Sequence, residues 1–127
     1  MNYFEVIEYQ FINNKKGDIY KILSSANCSN FVKGDIYFSE VKPNIIKTLR
    51  KHKLLTCIIG AIYGEIEIKL KSSLNEKTIT MNLDLRNKKM VKIKPGTWYS
   101  FENKKNTSCM LFVALDGEHN DNEVVRL

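Results

Sequence analysis

An all-β fold is what this sequence predicts, and three observations predict it. Apolar residues recur with a period of two, as on a strand with one buried face. The apolar runs are short and rich in β-branched or aromatic residues. Clusters of Gly, Pro, Asn or Lys separate them so closely that no crossover helix of a parallel sheet fits between them.

The elements follow in order. Phe4–Val6 alternates around Glu5, and Tyr9–Phe11 around Gln10. The cluster Asn13-Asn14-Lys15-Lys16-Gly17 then leads to Ile19–Leu23. Asp35–Val41 is separated by Pro43-Asn44 from Ile45–Leu49. Leu54–Ile59 and Gly64–Leu70 follow as two further strands. Thr78–Leu85, Met90–Ile93, Thr97–Phe101 and Cys109–Leu115 complete the set. The acidic tail Asn120–Leu127 reads as a helix of at most two turns.

One domain spanning residues 1–127 is expected, since this length buries one good core and not two. With 43% apolar and 27% charged residues, and no run near the roughly 18 apolar residues of a membrane helix, a soluble chain without membrane association is expected. The start Met1-Asn2-Tyr3-Phe4-Glu5 has no secretory pattern, which places the chain in the cytoplasm. Cys28, Cys57 and Cys109 are widely spaced without a Cys-x-x-Cys pair, so three reduced, buried thiols are expected. The formal charge of +6 favours an anionic partner such as a nucleotide diphosphate. Its lysines lie in scattered pairs beside Asn, with no basic helix and no RNP-like aromatic motif, so nucleic-acid binding is not expected.

Pro95-Gly96-Thr97-Trp98-Tyr99-Ser100-Phe101 is the most informative segment: a tight turn feeding a strand with large apolar groups at odd offset, hence on opposite faces. It resembles the second motif of cupins, with Gly96, Tyr99 and Asn103 at the Gly, His and Asn positions. The first cupin motif, two histidines, a Glu and a Gly, lies over Arg50, His52, Cys57 and Gly64. Across the two motifs, three of the four cupin metal-ligand positions thus hold Arg50, Cys57 and Tyr99, and neither a metal nor another cofactor is expected. The resemblance implies a cupin-type jelly-roll barrel of two antiparallel sheets.

From Gly34 onward the chain resembles small dTDP-4-dehydrorhamnose 3,5-epimerase-like proteins. Four blocks carry the likeness: Asp35-Ile36-Tyr37-Phe38-Ser39-Glu40-Val41-Lys42-Pro43; Ile46-Lys47 with His52-Lys53; Pro95-Gly96-Thr97-Trp98 with Phe101; and His119-Asn120-Asp121-Asn122-Glu123-Val124-Val125-Arg126-Leu127. It implies a metal-independent 3,5- or 3-epimerase acting on a dTDP-4-keto-6-deoxyhexose through an enolate, in bacterial surface-polysaccharide biosynthesis. Two alternatives stand beside it: a sugar 3,4-ketoisomerase on the same substrate class, and a catalytically silent cupin that binds a sugar nucleotide or a partner. A homodimer joined by strand exchange at a sheet edge is also implied.

Epimerisation next to a ketone needs a base, an acid on the opposite face and a group that stabilises the enolate. His52 suits the base and Tyr99, or Tyr63, the acid; Arg50 and Lys53 suit the diphosphate or the enolate, and Trp98 could stack on the nucleobase. Arg50 cannot itself serve as a base at neutral pH, but His52 at i+2 shares its face. His119, followed by Asp121 and Glu123, reads as a surface turn.

Overall fold

The computed structural model describes residues 3–24, 27 and 34–127. Two five-stranded antiparallel sheets pack face to face, as expected of a jelly roll. The first sheet orders β1 (Phe4–Glu8), β9 (Lys89–Ile93), β6 (Cys57–Tyr63), β11 (Cys109–Leu115) and β4 (Ile36–Val41). The second orders β12 (Val124–Arg126), β5 (Ile46–His52), β10 (Trp98–Glu102), β7 (Glu65–Lys71) and β8 (Ile79–Asp84). A separate hairpin joins β2 (Gln10–Ile12) to β3 (Ile19–Lys21).

Inward-facing residues of both sheets form the core, among them Ile59 and Ala61 of β6, Leu111 and Val113 of β11, Ile68 and Leu70 of β7, and Phe101 of β10. The outer face of the first sheet is covered as well: Ile7, Tyr9, Ile58, Met90 and Ala114 form a second cluster against Tyr20, Ile22 and Leu23. Covering both faces explains why Cys57–Ala61 is apolar at every position instead of alternating. A Cβ on Gly60 would stand 2.7 Å from Met90 Cγ, so glycine is what lets the methionine lie across β6. Each fully buried isoleucine here stabilises the sandwich by about 2–5 kcal/mol relative to alanine.

The expected strands are present among the described residues, with shifted ends that have local causes. β6 starts at Cys57, not Leu54, because the backbone N–H groups of Leu55 and Thr56 donate to the carboxylates of Glu123 and Asp116. β8 stops at Asp84, whose side chain accepts from the Asn87 N–H and caps a single 3-10 turn, Leu85–Asn87. The tail departs from expectation. Asn120 caps one 3-10 turn, Asp121–Glu123, and the chain then extends instead of coiling. Two β-branched residues, Val124 and Val125, add β12 to the free edge of β5, pairing with His52 and Lys51. Cys57 and Cys109 are buried free thiols, and Cys28 lies outside the described residues. No helix among the described residues is long and apolar enough to cross a membrane.

Candidate functional site

Strand β5 supplies the centre of the site. Its neighbour β10 aligns Tyr99 with Arg50 but Phe101 with Lys47, so β5 carries one extra residue between these pairs. The resulting bulge turns both Lys47 and Arg50 toward the interior, although their spacing would place them on opposite faces of a regular strand. Lys47 Nζ donates to Ser39 Oγ at 3.0 Å, reaching across to β4. Burial first, and the neighbouring Arg50 second, hold the Lys47 amine below its usual pKa.

His52 ends the same strand and is 4% exposed. Its Nδ1 stands 2.8 Å from Glu123 Oε2 and 3.1 Å from Oε1, and its Nε2 lies 2.9 Å from the Tyr99 hydroxyl. An ionised carboxylate only accepts hydrogen bonds, so Nδ1 of the neutral ring carries the proton and donates it; Nε2 then accepts from Tyr99. The Tyr99 ring lies nearly parallel to the imidazole, 20° between planes. Burial pushes the Tyr99 phenol well above its usual pKa, keeping it a donor. Burial alone would raise Glu123, but hydrogen bonds from His52 and the Leu55 and Leu54 N–H groups hold it below the usual carboxylate value. Cys57 adjoins the set, and burial, followed by the Glu123 charge, pushes its thiol far up.

The opposite wall is β4. Tyr37 pairs with the core residue Val113 and so faces the space between the sheets. Burial raises its phenol pKa, while the cations Arg50 and Arg126 act against that rise. β12 places Arg126 beside Arg50, and Arg126 Nη2 lies 3.8 Å from Asp121 Oδ1. Neither Lys47 nor Arg50 forms a salt bridge with a carboxylate among the described residues. This region between the sheets therefore sets two cations without a salt-bridged carboxylate beside a buried acid–base chain, a combination suited to an anionic substrate that must lose and regain a proton.

Of the residues singled out from the sequence, the structure brings together His52, Tyr99 and Arg50. His52 and Tyr99 do not face each other across a substrate: they are hydrogen-bonded neighbours on one wall, so they cannot serve as base and acid on opposite faces. Trp98 pairs with Lys71 on the outer face of the second sheet, under the Lys51 ammonium at 4.9 Å, because its neighbour Tyr99 takes the inner face. Lys53 lies beyond the end of β5, exposed, its backbone N–H on the Glu123 carbonyl. Tyr63 is six residues along β6 from Cys57, about 20 Å away. A register shift against β11 accompanies its outward position, and it is 64% exposed.

Tyr63 lines a separate cavity of about 610 Å³ with Glu65, Asp84, Arg86 and Lys105. Its charges are already matched as Lys105–Glu65 and Arg86–Asp84 pairs, and it holds no histidine. Spacing arguments missed Glu123, Tyr37 and Lys47. All three lie within the family-like blocks, which was the available signal. A cupin metal does not fit the residues present, because both nitrogens of His52 are engaged and Arg50 and Tyr99 occupy ligand positions. Among the described residues no three His, Cys, Asp or Glu side chains converge on a point.

Known proteins agree with this architecture. A dTDP sugar isomerase from Desulfovibrio desulfuricans superposes with a TM-score of 0.88 at 23% identity, covering 99% of this chain and 84% of that one. A 3,4-ketoisomerase from Thermoanaerobacterium thermosaccharolyticum, in complex with TDP-4-keto-6-deoxyglucose, superposes with a TM-score of 0.85 at 19% identity over 100% and 89% of the two chains. A dTDP-6-deoxy-D-glucose-3,5-epimerase from Legionella pneumophila, bound to dTDP-4-keto-L-rhamnose, gives 0.85 at 12% identity over 100% and 73%. No curated protein sequence matches significantly. The signature of one family extends over residues 2–126, and on that match the chain belongs to the WxcM-like, C-terminal (FdtA) family.

Proposed function

We propose that the chain is a sugar-nucleotide isomerase that moves the ketone of a dTDP-4-keto-6-deoxyhexose from C4 to C3, without a metal, in the supply of sugars for bacterial surface polysaccharide. The observation that carries this reading is the one-sided Glu123–His52–Tyr99 chain. Ketoisomerisation takes the proton from C3, passes through an enediolate and returns a proton to the adjacent C4, while the hydroxyl proton moves from O3 to O4. A single relay on one wall can serve both neighbouring carbons. Arg50 and Lys47, which form no salt bridge with a carboxylate among the described residues, suit the diphosphate and the enediolate oxygens.

A second reading, 3- or 3,5-epimerisation, draws support from Tyr37, whose phenol faces the relay from the other sheet and could return a proton to the opposite face. Incubation with dTDP-4-keto-6-deoxyglucose in deuterated water separates the readings by NMR. A C3 ketone with deuterium at C4 supports isomerisation. Deuterium at C3 or C5 with the C4 ketone retained supports the epimerase. Saturable binding without exchange overturns both in favour of a silent binding protein.

A homodimer is part of the same proposal. β4 is an edge strand, and its outer face exposes Ile36 and Phe38, the latter against Phe112 at 6.5 Å. A second copy would cover this edge. Sedimentation at micromolar concentration as a 14.7 kDa monomer would overturn it.

A further inference from the structure

The chain has two histidines. His52 is absorbed in the buried relay; His119, which reads as a surface-turn residue, lies against the other tyrosine of the pocket. Its ring meets Tyr37 edge-on, with centroids 6.3 Å apart and planes at 66°. Three tethers fix it there. Its backbone N–H donates to Asp35 Oδ2 at 2.8 Å, its Nε2 lies 3.6 Å from Asp121 Oδ1, and Asp35 N–H donates to the Gly117 carbonyl at 3.1 Å. Below it, two glycine backbones touch so closely that a Cβ on Gly34 would fall 2.2 Å from the Gly117 oxygen. The segment bearing His119 is thus bound to the start of β4, two residues before Tyr37.

We infer that His119 is a positioning residue for Tyr37, holding the phenol ring in place so that its hydroxyl stays aimed between the sheets. The inference rests on the epimerase reading, in which Tyr37 returns a proton to the sugar face opposite Tyr99. Tyr37 is 39% exposed, so without a ring beside it the side chain has room to turn toward solvent. The contact is between rings. No hydrogen bond joins His119 to the Tyr37 hydroxyl among the described residues, and the His119 ring nitrogen is directed to Asp121. The role is therefore met by shape and aromatic edge, not by proton transfer.

Three variants of the full chain test this: His119→Leu, His119→Phe and Tyr37→Phe. Small misplacements of a reacting group cost up to about 100-fold in rate, and His119→Leu should lower kcat about tenfold with KM within twofold. His119→Phe should recover most of that loss and leave the pH profile unshifted. Equal loss in His119→Phe and His119→Leu, or a shifted profile in His119→Phe, would overturn the ring-contact role, as would full activity in His119→Leu. NMR with ring-labelled tyrosine gives a readout that needs no turnover, with Tyr37 assigned from Tyr37→Phe. The Tyr37 resonance should move in His119→Leu while that of Tyr99 does not, and an unmoved Tyr37 resonance overturns the inference. A wild-type protein that turns over no sugar nucleotide yet shows the Tyr37 shift would refute the proposed reaction and leave the contact standing.

Discussion

The hydroxyl of Tyr99 and the Nε2 of His52, 47 residues apart in the chain, stand 2.9 Å apart, both buried between the sheets. With Glu123 on the other nitrogen, the imidazole has one permitted tautomer and one orientation. The arrangement parallels the logic by which a carboxylate orients a histidine and the histidine serves a hydroxyl.

Tyr99→Phe leaves Nε2 of a buried imidazole without its donor. The expected cost is about 1–3 kcal/mol of stability, the penalty of a buried polar atom left unpaired. Turnover should fall at least tenfold while TDP affinity stays within a few fold. Urea denaturation and isothermal titration measure the two effects; a Tyr99→Phe protein as stable and active as wild type would remove Tyr99 from the relay.

Glu123 gives the acid response. Its carboxyl is held below the ordinary value of 4.5 in the folded state, so the folded state binds fewer protons than the unfolded one in that range. Its contribution is then full above pH 4.5 and is lost as the pH falls through the lowered folded value. Glu123→Gln should be less stable near neutrality and show a flatter decline on acidification. Urea midpoints across the acid range measure this, and an unchanged slope would show that Glu123 is not linked to folding.

Trp98 is the single tryptophan and reports on the outer face of the second sheet. Its fluorescence should respond little to saturating TDP, and Trp98→Phe should bind TDP with unchanged affinity. Strong quenching that tracks occupancy would place the base against the indole and contradict the assigned face.

Arg50 carries a positive charge that forms no salt bridge with a carboxylate among the described residues. Hydrogen bonds to charged groups contribute about 1.5–3 kcal/mol, so Arg50→Gln should weaken TDP binding roughly tenfold or more. Its salt dependence should weaken too, since one screened attraction is gone. TDP titrations at two ionic strengths check both effects.

Period-two patterning located the strands because one inward face must be apolar, and the odd offset of Trp98 and Phe101 correctly put them on opposite faces. What pattern could not supply was which face was which, and that decides whether Trp98 meets a ligand. The bulge in β5 was equally hidden, since one extra residue reverses facing without altering composition; Lys47 entered the pocket that way. The tail misled for a physical reason. Asn120 followed by Asp121 and Glu123 has the chemistry of a helix start, and one turn does form, but Val124 and Val125 gain more by pairing with β5 than by coiling. His52 and Glu123 are 71 residues apart, and only the closed sandwich brings them together.

Strand β12 therefore does more than widen a sheet. Glu123 reaches His52 only once β12 has joined the edge of β5, across a separation of 71 residues in the chain. In time, the molecule is assembled before it is armed: on refolding, strand signal should return first, and the orientation of His52 should be among the last features to appear.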